Sequence, residues 1–87
     1  MNGDKKIMVR IILPISGISH DVMLPGALRV RDVVPTLVAM LKDMHEDNLL
    51  LSGENLLCRS ETGEPLNNPD MTLTACGVRD ADILYLV

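Results

Sequence analysis

Residues 6–13 read Lys6-Ile-Met-Val-Arg-Ile-Ile-Leu13. Ile7, Val9, Ile11 and Leu13 fall on one side, and Met8, Arg10 and Ile12 on the other. Alternation with period two, rich in β-branched residues, is the pattern of a strand with one side set against a core. Pro14 has no backbone N–H to continue a ladder, and Ser16-Gly17 supplies turn chemistry. His20-Asp-Val-Met-Leu24 is a second short strand, closed by Pro25-Gly26. Two strands across a short loop predict an antiparallel hairpin. A register slip of one residue would exchange the inward and outward sets.

Beyond the hairpin, Val30, Val33, Val34, Leu37, Val38 and Leu41 recur at the spacing of an amphipathic helix. Asp32 fits an N-cap, which places Pro35 in the first turn, where a missing donor costs little. A start nearer Val30 would put Pro35 inside the helix and bend it. Lys42 and His45 suit the negative end of the helix dipole, and Glu46-Asp47-Asn48 ends the helix. Leu49-Leu-Leu51 reads as a last turn or a buried loop, and Ser52-Gly53 as a turn. Leu56-Leu-Cys-Arg59 is a third strand, and Glu61-Thr-Gly-Glu-Pro65 is a turn in which Gly63 is available for positive φ. After a loop that packs Leu73 onto the core, the Gly77–Asp82 turn leads into Ile83-Leu-Tyr-Leu-Val87. This last strand is expected to lie parallel to the first. One helix on a mixed sheet of four or five strands makes a two-layer α+β domain.

The chain has 87 residues, enough for one domain with a modest core. Residues 1–5 read as a flexible leader and 6–87 as the domain. Apolar residues make up 47% of the chain, yet Tyr85 is the lone aromatic, so the core must be built from Leu, Ile, Val and Met. A net charge of −4 with eight dispersed Lys and Arg argues against a nucleic-acid reader. No apolar run approaches the length of a membrane span, which argues against membrane insertion. Met1-Asn2-Gly3-Asp4 lacks the layout of a signal peptide, and a cytoplasmic location is the resulting expectation. Cys58 and Cys76 form no Cys-x-x-Cys pair and read as small buried hydrophobes.

Three stretches carry a resemblance. They are Met8-Val-Arg-Ile-Ile-Leu13 followed by Asp21-Val-Met-Leu-Pro25, then Leu28-Arg-Val-Arg-Asp-Val-Val-Pro-Thr-Leu37, then Leu73-Thr-Ala-Cys-Gly-Val-Arg-Asp-Ala-Asp-Ile-Leu84. Their order resembles the ubiquitin-like β-grasp fold. It is most similar to the YukD/EsaB family and to the N-terminal ubiquitin-like domain of EccD-type proteins of type VII (WXG100) secretion systems. Ala81 stands where a glycine is common in that family. The resemblance implies a cytosolic accessory or regulator whose partners are membrane or ATPase components of the secretion machine.

Candidate chemistry is sparse. His20 and His45 have no evident carboxylate or cysteine partner, no Gly-x-Ser-x-Gly occurs, and no phosphate-binding glycine run is present. Asp80 and Asp82 read as turn residues, with Asp80 bonding backbone N–H groups. No cofactor or metal is expected, and no enzyme activity. Tyr85-Leu86-Val87 falls inside the last strand, and no Gly-Gly follows, so the conjugation or sulfur-carrier chemistry of ubiquitin relatives is not expected. What remains is surface. If the first and last strands are neighbours, Met8, Arg10, Ile12, Ile83, Tyr85 and Val87 form one outward patch of the composition that protein interfaces favour. Self-association would use the same residues. The alternatives of another class are a small assembly subunit of a multicomponent enzyme and a ubiquitin-type modifier.

Overall fold

The computed structural model describes residues 5–45 and 55–87. The expected leader other than Lys5, the helix stop at Glu46-Asp47-Asn48 and the 49–53 stretch lie outside the described residues. Strands β1 (Lys6–Leu13) and β2 (Ile18–Pro25) are followed by helix α1 (Val30–His45), then β3 (Leu57–Arg59) and β4 (Asp82–Leu86). The sheet order is β2-β1-β4-β3. β1 pairs antiparallel with β2 and parallel with β4, and β3 pairs antiparallel with β4. The hairpin and the parallel central pair are as the alternation implied.

One core lies between the helix and one sheet face. Val9, Ile11, Val33, Leu37, Leu41 and Leu73 are fully buried, with Leu24, Leu84 and Leu86 almost so. The inward set of β1 and β4 is therefore the expected one. Cys58 is buried and Cys76 only half-buried; both are free thiols, so the reading of both as buried holds for Cys58 alone.

Of the two helix starts the sequence offers, the earlier one is found. α1 begins at Val30, so Asp32 is not its N-cap but an acidic residue of its first turn. The first donors are satisfied from elsewhere in the chain. Val30 N–H donates to the Met71 carbonyl at 2.9 Å and Arg31 N–H to the Pro69 carbonyl at 3.1 Å. Asp32 and Val33 N–H both donate to the Arg29 carbonyl. These bonds fill the role of a capping side chain. Pro35 thus lies inside the helix. It cannot donate to the Arg31 carbonyl, while the Thr36 hydroxyl donates to the Asp32 carbonyl at 2.7 Å.

The 69–74 segment is fastened to the strand–helix junction along its length. Leu73 N–H donates to the Leu28 carbonyl, and both the N–H and the hydroxyl of Thr74 donate to the Gly26 carbonyl. Arg31 and Asp70 form an ion pair. Gly26 permits the close approach: a Cβ there would sit 2.5 Å from Thr74 Oγ1.

Candidate protein-interaction surface

The register builds the outer face row by row. Met8 stands opposite Met23, Arg10 lies between Asp21 and Ile83, and Ile12 lies between Ser19 and Tyr85. Tyr85 in turn faces Cys58 on β3. Val87 and Leu56 exchange two backbone hydrogen bonds, Leu56 N–H to Val87 O at 2.7 Å and Val87 N–H to Leu56 O at 2.9 Å, which carries the last row past β4. All six outward residues read from the sequence are brought together: Met8, Arg10, Ile83 and Val87 are exposed, and Ile12 and Tyr85 are half-buried.

Two apolar members escaped the sequence reading. Met23 is 55% exposed and Leu56 is 56% exposed, which widens the patch onto β2 and toward β3. Met23 was legible in principle, because it alternates with the inward Val22 and Leu24. Its placement beside Met8 needed the hairpin register, which the loop length sets. Ile15, 82% exposed on the hairpin loop, adds an apolar side chain near the Ile12 end.

The middle of the patch is polar. Arg10 Nε donates to Asp21 Oδ1 at 2.9 Å, with a longer contact of 3.5 Å from Nη2 to Oδ2. This hydrogen bond holds the Asp21 carboxyl below the ordinary carboxylate range and raises the Arg10 guanidinium. An open depression of about 240 Å³ lies here, lined by Met8, Arg10, Asp21, Ala81 and Ile83.

The turn before β4 frames this depression. Asp80 Oδ1 accepts from Met8 N–H at 2.7 Å, and Asp82 Oδ2 accepts from Arg79 N–H at 2.9 Å. Asp80 thus bonds a backbone N–H as expected, and the bond ties the turn to β1. Ala81 donates its N–H to the Met8 carbonyl at 2.6 Å and has φ of 73°. It is the lone non-glycine with positive φ among the described residues. Left-handed backbone is unfavourable for a residue with a Cβ, so a glycine would hold this turn with less strain than Ala81.

Among the described residues, no three His, Cys, Asp or Glu side chains come together in a way that would hold a metal. No helix among them is long and apolar enough to cross a membrane.

A helix packed on a mixed sheet of order β2-β1-β4-β3, with β1 and β4 parallel at its centre, defines a ubiquitin-like domain of the β-grasp class. The particular family follows from the sequence: residues 7–86 match the model of "WXG100 protein secretion system (Wss), protein YukD", and the chain belongs to that family. Among solved structures, it is similar to the EccD5 ubiquitin-like domain from Mycobacterium xenopi, with a TM-score of 0.79 and 21% identity, covering 95% of this chain and 93% of that one. The ubiquitin-like domain of the Mycobacterium tuberculosis type VII secretion protein EccD1 aligns with a TM-score of 0.73 and 24% identity over 95% of this chain and 98% of that one. A chain of the ESX-5 inner membrane complex (MycP5-free, State II) aligns with a TM-score of 0.68 and 23% identity over 94% of this chain and 20% of its own length. No curated protein matches the chain.

Proposed function

We propose that this chain is a non-catalytic interaction domain that serves a type VII secretion system as a cytosolic accessory or regulator. It docks through the outer face of its sheet onto a protein component of that machine. The single observation that carries this reading is the continuity of the outer patch. Met8, Met23, Ile12, Ile83, Tyr85, Val87 and Leu56 join across β2, β1 and β4 to the residue just before β3, around one Arg–Asp pair. Scattered apolar residues on a sheet face need no explanation, whereas a contiguous exposed set marks a contact surface. Tyr and Arg at its centre are the residue types that most often dominate binding energy.

Membership of the YukD family supports the secretion setting. So does likeness to part of a chain in the ESX-5 inner membrane complex. The absence of catalysis is read from the content of the patch, whose one charged pair is already internally bonded.

The test is co-purification of the protein with the membrane complex of its own secretion system, beside secretion of a WXG100 substrate. Tyr85→Ala and Ile12→Asp should each reduce co-purification and secretion while the protein stays folded. Undiminished co-purification by both variants would overturn the assignment.

A further inference from the structure

The chain turns back after β3 and is fastened along it. Arg59 N–H donates to the Glu64 carbonyl at 2.9 Å, and Leu66 N–H donates to the Leu57 carbonyl at 2.8 Å. The 72–78 turn closes on itself: Cys76 N–H donates to the Thr72 carbonyl and Val78 N–H to the Leu73 carbonyl, both at 3.0 Å. Between these two segments lies an open depression of about 290 Å³, lined among others by Arg59, Leu66, Asn67, Met71, Ala75 and Cys76. Leu66 and Cys76 pack on the core, so its floor is held in place.

Strand alternation sets Arg59 at this place. It shares the parity of the buried Leu57 and pairs with the inward Leu84, so it lies off the Tyr85 face. Its Nη2 donates to the Cys76 carbonyl. A Cβ on Gly77 would lie 3.6 Å from Nη2 and 4.0 Å from Nη1, so the guanidinium runs along the turn. A neutral carbonyl occupies one of the five guanidinium donors and leaves the charge uncompensated. Among the described residues, no carboxylate is ion-paired with Arg59.

Two other depressions carry acid. The one beside Arg10 includes Asp21, and one of about 190 Å³ that Arg59 also borders includes Glu61 and Asp82. In the 290 Å³ depression Arg59 is the one charged side chain, set among carboxamides and the apolar Leu66, Met71 and Ala75. A few polar groups on an apolar wall fix the orientation of a ligand. A cation there selects an anion that carries an aliphatic group close by.

We propose that this depression takes the α-carboxylate of a peptide that ends in an aliphatic residue. In such a residue the carboxylate and the side chain leave the same carbon. One group meets Arg59 and the other meets Leu66 and Met71 within the same small space. Arginine presents paired N–H groups that match a carboxylate. The Asn67 carboxamide has both donors and an acceptor for the last peptide unit. A glutamate side chain brings a carboxylate with no aliphatic branch beside it. This site is separate from the Tyr85-centred face and stands independently of docking there.

The test uses the whole chain labelled with ¹⁵N and three N-acetylated tripeptides. They are Ala-Ala-Leu with a free carboxylate, the same peptide as its C-terminal amide, and Ala-Ala-Glu with an amidated end. The first should shift the amide signals of Leu66, Asn67, Ala75 and Cys76. The other two should bind about tenfold more weakly. Ala75 is exposed on the wall of the depression, so its charge can be changed without touching the core. Ala75→Glu should weaken the first peptide by about tenfold and Ala75→Lys should not weaken it, with both thermal midpoints unchanged. Arg59→Gln should abolish binding, but it also removes the bond to the Cys76 carbonyl. The Ala75 pair therefore decides. Four results would each overturn the proposal: no amide perturbation at about ten millimolar of the first peptide, equal binding of any two of the three peptides that includes the first, equal weakening by the two Ala75 variants, or loss of the binding in Tyr85→Ala.

Discussion

β1 and β4 show two faces made of nearly the same residue types. The inner face carries Ile7, Val9, Ile11, Leu84 and Leu86, all at or below 8% exposure. The outer face carries Met8, Ile12, Ile83, Tyr85 and Val87 with Arg10, and every one of these is exposed or half-buried. Hydropathy barely separates the two sets. What separates them is cover: α1 and Leu73 lie on one side, and no described element lies on the other. The lesson is that one strand alternation builds two apolar faces, and that the helix decides which of them becomes core.

The largest expected effect tests the inner face. Leu84→Ala should destabilise the domain by about 2–5 kcal/mol, and Val9→Ala by a smaller amount of the same sign. Ile12→Asp, on the same strand as Val9, and Tyr85→Ala, next to Leu84, should cost about 1 kcal/mol or less. Urea midpoints measured on all four variants would break the comparison if the two pairs shifted equally.

A second effect concerns volume on the covered side. Gly26→Ala should cost about 1–3 kcal/mol, because the new Cβ collides with Thr74 Oγ1 and parts the 69–74 segment from the strand–helix junction. The drop should appear in thermal unfolding.

On the open side, Ala81→Gly should have the opposite sign. It relieves the left-handed backbone at φ 73° against a larger unfolded-state entropy, for a net gain of about 0.5–1 kcal/mol. A raised urea midpoint with unchanged cooperativity would sharpen the view that the turn beside the patch is conformationally strained.

The smallest effect is electrostatic. Asp21 is held below its ordinary range in the folded state by the Arg10 hydrogen bond. A carboxyl depressed on folding contributes stability above its unfolded value near pH 4, and that contribution is lost as pH falls through the folded value. Asp21→Asn should therefore lower stability slightly at pH 7, with the difference from the unaltered chain vanishing in acid. The pair is exposed, so screening keeps the change small. Urea midpoints at pH 7 and in the acid range read it.

The sequence made the strands legible because period-two alternation in residues 6–13 is a local signal. It also made the helix legible, because six apolar residues keep one stripe. The helix start was not legible. Its cap is formed by the carbonyls of Pro69 and Met71, about 40 residues further on, and local propensity at Asp32 carries no trace of them. Met23 was missed for a related reason: alternation gives its face, but only the hairpin register sets it beside Met8. The half-burial of Cys76 depends on the packing of the 69–78 segment, which has no periodicity to read. The depression beside Arg59 could not be seen either, since it joins β3 to residues 65–76, which lie apart from it in sequence.

The most direct measurement is co-purification with the secretion system's membrane complex, comparing the unaltered protein with Tyr85→Ala at equal folded concentration. The account predicts that the unaltered protein remains with the complex and that the variant, with an unshifted urea midpoint, is largely lost from it. Equal retention of the two proteins would contradict it.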